Sequence, residues 1–439
     1  MSCRSYCRPD FLFTLGLCAG IFPSHMSGEK TKRGTLKFLL DNSVFLIAGA
    51  LAALVWANLD QEAYHHVMGM VFAGEGDHAV TPHFIINDIL MAFFFAIAGK
   101  EVWEALLPGG PLSNMRKAAT PLIATLGGMM GPAGLYLLGC YWTGNMESLG
   151  GGWAVPMATD IAFSYLVARL IFGPGHVAIP FLLLLAIADD AGGLLIIAIF
   201  YTKGHVAPIW LLATVGAILL GFLMRRMKLQ SFWWYLLLPG ALSWYSFFKA
   251  GIHPALGLVP IIPTLPHAHT DLGLFARAEL GRHDTLNEFE HWWKNPVEIF
   301  LGLFGLANAG VVLSSVGDGT WLILGGLLIG KPLGITLFTW VGLKVFKLEL
   351  PVGMGFRDLV AVGMIAGIGF TVALFVATAA EFPDAATLDA VKMGALGSFG
   401  AAFLAIAAAR AMGIRPGSGT DESPASAETG KAEAGEDPA

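Results

Sequence analysis

The sequence is short of charge. Only 13% of its 439 residues are Asp, Glu, Lys or Arg, against about 25% in an ordinary soluble domain, which excludes one large water-soluble globule. Cysteine is scarce as well. Cys3, Cys7 and Cys18 crowd the N-terminus and Cys140 stands alone, so neither a disulfide framework nor a zinc-finger spacing is present. A net charge of −6 offers no basic face, and no nucleic-acid partner is expected. What fills the chain is apolar: 55% hydrophobic residues with 55 Gly and 23 Pro, and a mean hydropathy of +0.66. Such a chain reads as an all-α polytopic membrane protein, because a helix satisfies its own backbone in lipid and glycine allows close helix packing.

Windows of about twenty apolar residues predict twelve transmembrane helices, near 42–59, 83–103, 118–140, 153–172, 176–201, 207–224, 232–249, 251–264, 296–314, 319–344, 357–380 and 387–412. The seventh and eighth are separated only by "KAGIHPALG". Lys and Arg concentrate in alternate loops, at 30–37, 116–117, 225–228, 277–294, 344–357 and 410–415, while the other loops carry Lys203, Lys249 and Lys392. That asymmetry places both termini in the cytoplasm. Three regions follow: a cytoplasmic N-terminal extension at 1–34, a membrane domain at 35–412, and a disordered acidic cytoplasmic tail at 413–439. The first 25 residues have a basic start and a short apolar stretch like a signal peptide. A multispanning chain needs no cleaved signal, so translation from Met26 is the expected reading.

Against this background a few ionisable residues stand deep inside spans: Asp160, Asp189, Asp190, Glu298 and Lys331, with Asp88 nearer a helix end. Each carboxylate there costs roughly 2.5–3.5 kcal/mol on insertion scales, and "LAIADDAGGLL" accepts that cost twice running. Adjacent helical residues point about 100° apart. One acid can therefore face a pairing cation while the other faces a water-filled cavity. Carboxyls that take either a proton or a hard cation supply the minimum chemistry of cation/proton exchange. Lys331 needs an anion, and Asp189 is the partner expected. In "VPMATDIAFS", Pro156 beside Thr159 and Asp160 predicts a helix interrupted near the membrane centre. "VGMIAGIGFTVALF", with Gly363, Gly367 and Gly369, predicts a second. A carboxylate such as Asp160 can neutralise the N-terminal dipoles of two broken helices, and Lys331 can compensate the C-terminal ends.

The segments "ATDIAFS", "LAIADDAGGLLIIAIFY", "LANAGV", "GLLIGKPLGI" and "GIGFTVALFVA" resemble, in order and spacing, the signature segments of the NhaA sodium/proton antiporters of bacteria. The similarity covers roughly residues 35 to 412. That family is itself a type case of the inverted repeat, so the resemblance and the pair of interrupted spans are one observation rather than two. The resemblance implies a twelve-helix inverted-repeat antiporter fold in which spans 4 and 11 are unwound and cross. It implies that Asp189 and Asp190 bind Na+ and protons, that Thr159 and Asp160 support the cation site at the crossing, and that Lys331 pairs with Asp189 and takes part in proton carriage. Glu101 and His253 fall at positions implicated in pH response. It further implies an electrogenic Na+(Li+)/H+ antiporter of the bacterial inner membrane serving pH and sodium homeostasis, with no cofactor, membrane lipid around it, and a homodimer.

The chain departs from the family in "GKEVWEALLPGG", where Glu101 keeps its place, two basic residues become Trp103 and Glu104, and an acid becomes Ala105. A shifted pH profile is the expectation. Glu298 is an extra acid, which either snorkels to the interface or perturbs the site electrostatically. The stretch "AHTDLGLFARAELGRHDTLNEFEHWWK" reads as a solvated cytoplasmic helix. Two other functions compete. A sodium-coupled symporter needs polar or cationic groups around a larger cavity, and few remain beyond the charges named. A membrane enzyme holding Mg²⁺ needs spaced acids such as DxxxD facing water, and "ADDAGGLL" lacks that spacing.

Overall fold

A computed structural model describes residues 44–74, 79–113, 115–202, 206–267, 284–414 and 416. The expectations for 1–34, for the loop before Asp284 and for the acidic tail beyond 416 lie outside the described residues. Those described form helices throughout, and one isolated bridge, Ala73 to Val80, is their only β-pairing. In chain order the helices are α1 (Val44–Leu59), α2 (Gln61–Met68), α3 (Pro82–Leu106), α4 (Met115–Thr143), α5 (Ile161–Phe172), α6 (Ala178–Phe200), α7 (Leu211–Arg226), α8 (232–250), α9 (Thr285–Asn308), α10 (Asp318–Val345), α11 (Phe356–Ala366), α12 (Phe370–Ala379) and α13 (Ala385–Ala411). Among the described residues, seven segments are long and apolar enough to cross a membrane, and α11 with α12, bent by 47° at 367–369, makes an eighth. The protein is a multi-pass membrane protein.

Its solvation is inverted, as lipid requires. Leu195, Ile199, Leu219, Leu237, Leu333 and Phe403 point outward, while Thr159, Asp189, Asn308 and Lys331 are buried. Polar groups that lipid cannot satisfy are turned into the bundle and paired there.

The most extensive helix contact joins α4 to α10, and glycine spacing explains it. A Cβ built on Gly127 would lie 2.2 Å from the Gly334 carbonyl oxygen, and one on Gly334 would lie 2.0 Å from that of Gly127. Gly131 meets Gly330 in the same way, at 2.4 Å. Glycines four residues apart on both helices thus let the backbones touch. Gly326–Gly330 adds a π-helical turn immediately before Lys331, a local widening that redirects the following side chain.

A second π-helical stretch, Ile85–Leu90, interrupts α3. Such a bulge frees backbone carbonyls, and the Trp244 indole donates to that of Asp88 at 2.8 Å. Asn87 and Asn308 exchange amide hydrogen bonds of 3.1 and 2.8 Å across α3 and α9. Asp88 is buried, in the second turn of α3 and so toward its N-terminal end, as expected.

The ninth predicted span differs in extent. Sequence hydropathy begins it at 296, but α9 runs continuously from Thr285 through Pro296 to Asn308. Its first turns are amphipathic, so a hydropathy window misses them. The Asp284 carboxylate caps it, accepting from Asn287 N at 2.7 Å.

Candidate functional site

The site is assembled where two chain segments lose helical form. Residues 158–160 are non-helical between the turn Val155–Met157 and α5, and 367–369 separate α11 from α12. The two breaks meet, with Asp160 N donating to the Ile368 carbonyl at 2.7 Å. The Thr159 hydroxyl lies 2.8 Å from Asp189 Oδ2 and 3.2 Å from the Ala366 carbonyl. It has one proton to give, and the shorter contact to the acid is the stronger use of it.

Asp160 serves both broken helices. Its Oδ1 accepts from Phe163 N at 3.3 Å and caps α5. Its Oδ2 accepts from Thr371 N at 3.3 Å and from the Thr371 hydroxyl, in the first turn of α12. One carboxylate thus sits against two helix N-termini, where backbone dipoles favour negative charge. Thr371 was missed in the sequence reading. Its signal was available, since it follows the glycine break as closely as Thr159 precedes the other helix.

Lys331 enters from α10. Its Nζ lies 2.7 Å from Asp189 Oδ2, the two side chains being 0% and 1% exposed. It also donates to the Met157 carbonyl, at the end of the turn before the break. Asp189 is therefore committed to Lys331 and Thr159. Asp190, the next residue on α6, turns away. Its Oδ1 is buried without a hydrogen-bond partner among the described residues, and it lines a cavity of about 210 Å³ with Thr159, Asp160, Thr371 and Glu101. That volume holds several waters or a partly hydrated monovalent cation.

Glu101 also borders a second cavity of about 560 Å³, between the C-terminal end of α5 and the start of α6. Beside it, Lys100 is buried between Glu104 and Glu290, at 2.5 Å from each. Sequence reasoning missed Lys100 and Glu290 as a pair, because 190 residues separate them. His253 is elsewhere. Its Nδ1 lies 3.5 Å from Asp88 Oδ1 and 3.4 Å from Ala255 N. The first contact needs a proton on that nitrogen and the second a lone pair, so the two belong to different tautomers or protonation states. The imidazole packs on Phe375 at 4.7 Å and is not among the cavity-lining residues.

An all-helical membrane protein whose broken segments converge on buried acids, one of them facing a cavity, has the build of a secondary ion transporter. The sequence profile of the Na+/H+ antiporter 1 family matches residues 36–409, and the chain belongs to that family. It is 52% identical over 403 residues to the Na(+)/H(+) antiporter NhaA of Jannaschia sp. (strain CCS1), covering 84% of this chain and 96% of the relative. The corresponding protein of Geotalea uraniireducens (strain Rf4) is 48% identical over 385 residues, covering 87% and 97%. That of Geobacter sulfurreducens is 46% identical over 390 residues, covering 87% and 99%.

Proposed function

We propose that this protein is an electrogenic antiporter that extrudes Na+ or Li+ from a bacterial cell in exchange for protons. The observation that carries the reading is the buried oxygen of Asp190, without a partner among the described residues, in the wall of a cavity, next to an Asp189 already held by Lys331. A dehydrated monovalent cation needs carboxylate and hydroxyl oxygens, which Asp190, Asp189 and Thr159 supply, with Asp160 adding negative charge. Protons compete for the same carboxyls. When Na+ arrives, the acids give up their protons; when protons return, the cation leaves. Two carboxyls against one monovalent cation exchange up to two protons per ion, so the membrane potential drives the cycle. Lys331 is the third player, since a cation taking Asp189 displaces its ammonium and frees it to pass on a proton.

In this reading the chain is a transporter rather than an enzyme, with twelve spans and both termini in the cytoplasm of the inner-membrane face. Segments 155–172 and 356–379 are the unwound, crossing fourth and eleventh spans of an inverted repeat, and they rock to give alternating access. Glu101 and His253 adjust activity with pH, and the working unit is a lipid-embedded homodimer. The test uses everted membrane vesicles holding a preformed pH gradient. Na+ or Li+ should collapse the gradient and K+ should not, and Asp190→Asn should abolish the response. Asp160→Asn should weaken apparent cation affinity. Full Na+ exchange by Asp190→Asn rules out this site, and no collapse with any cation points instead to sodium-coupled uptake of an organic solute.

A further inference from the structure

One acid in the cavity has no part in the exchange chemistry above. Glu298 lies on α9 and lines the same 210 Å³ space as Asp190 and Asp160. On the same helix Glu290, Lys294, Val297 and Leu301 also face that space, at the i, i+4, i+7, i+8 and i+11 spacing of a single helical face. Trp292, Ile299 and Leu303 cover the outward side and are 46%, 49% and 38% exposed. Glu298 is therefore directed into the cavity and does not snorkel along the lipid face. Lys294 is exposed and Asp160 is buried, so the wall runs from an open end to a closed end. Glu298 stands one turn, about 6 Å, further in than Lys294.

We propose that Glu298 is a cation-recruiting carboxylate of the transport path, holding Na+ in the cavity ahead of Asp190 and setting the apparent Na+ affinity. The inference rests on the antiport reading of this cavity and adds a residue to it. A purely structural role as the partner of Lys294 accounts less well for the placement. The lysine precedes the acid, the weaker order for an i,i+4 pair, and such pairs contribute little. That is far below what an acid costs within a span. A charged wall inside a low-dielectric cavity, by contrast, focuses the field and raises the local cation concentration. The charged and titratable groups sharing the space are Glu101 from α3, Asp160 and Asp190, and Glu290 and Lys294 on α9 itself. Lys100 and Glu104 stand behind Glu290. The cavity residues contributed by α1 and α12 (Leu46, Thr371 and Val372) carry no charge.

The test measures Na+ KM and Vmax separately in proteoliposomes of the full chain. Removing one charge several ångströms from the cation, in a partly hydrated cavity, should raise KM by roughly three- to tenfold in Glu298→Gln. Vmax at saturating Na+ should stay within about twofold, because the exchange carboxyls are untouched. Glu298→Asp should restore most of the affinity. Lys294→Gln should move KM the opposite way, downward, since it removes a competing cation. An unchanged KM in Glu298→Gln overturns the proposal, as does a shift of the same sign in both Gln variants, which marks loss of a helix-stabilising pair. If Glu298→Gln does not fold, a KM that fails to fall in Lys294→Gln overturns it alone. Failure of the antiport reading itself is seen separately, as exchange surviving in Asp190→Asn.

Discussion

Replacing Lys331 by methionine, which keeps the length and apolar volume of the side chain, removes the cation from a pair with almost no exposed surface. At 2.7 Å and an effective dielectric near 20, the gross attraction between Lys331 and Asp189 is about 6 kcal/mol. Most of it only repays the removal of both charges from a polar medium. The pair as a whole is thus nearly neutral, and breaking it on one side costs about 3–5 kcal/mol because an acid is left buried alone. The carbonyl of Met157 also loses its donor, which adds about 1 kcal/mol. Asp189→Asn in the Lys331→Met background removes the stranded acid and should recover at least half of the loss. The readout is the thermal midpoint in detergent, followed by fluorescence-detected gel filtration. Lys331→Met should fall by roughly 8–12 °C, at about 2 °C per kcal/mol for a chain of this size, and the double variant by less than half of that. A Lys331→Met midpoint within about 2 °C of the parent would refute the argument, as would a double variant no more stable than the single one.

Two further outcomes follow from the packing. Gly334→Ala places a methyl 2.0 Å from the Gly127 carbonyl oxygen, so α4 and α10 must separate, at about 1–3 kcal/mol. Gly325→Ala on the same helix meets nothing within 4 Å and should leave the midpoint unchanged or slightly raised; equal losses in the two variants would contradict the glycine-contact account. The Tyr64 hydroxyl reaches the carbonyls of Leu306 and Ala307, at 2.8 Å each, and Tyr64→Phe should cost about 1 kcal/mol. Burial holds the Tyr64 phenol above its ordinary pKa, which keeps the proton in place, so this loss should be the same at neutral and mildly alkaline pH. A loss that vanishes on the alkaline side would show that the phenol had ionised.

What could be read from the sequence was what lipid penalises. Asp160, Asp189, Asp190 and Lys331 stand out because each is costly where it lies, and the proline and glycine breaks around Thr159 and Gly367 stand out because helices rarely tolerate them. What could not be read was partnership at long range. Lys100 sits in the quoted "GKEVWEALLPGG", yet its burial between Glu104 and Glu290 depends on a helix 190 residues away. The start of α9 was hidden for a different reason. Its polar face lines a cavity, so the hydropathy that marks a span drops although the helix continues. The glycine spacing of α4 and α10 was visible in each helix, but not that the two rows face one another.

The arrangement also explains why the two adjacent acids are not interchangeable. Breaking two helices inside a membrane exposes N–H groups at 161–163 and 370–371 and a carbonyl at Met157, each costing several kcal/mol if left bare. Asp160 accepts from Phe163 N and Thr371 N, one donor of each helix start, and Lys331 donates to the Met157 carbonyl. Lys331 in turn commits Asp189, which also receives the Thr159 hydroxyl. Each of these groups stabilises the interrupted backbone directly or through one intermediary, so changing its charge perturbs the fold as well as the site. Asp190 alone has no such obligation: its Oδ1 meets no partner among the described residues and faces the cavity. The structural duty at the two breaks falls on Asp160, Lys331 and Asp189, and Asp190 is left clear of it.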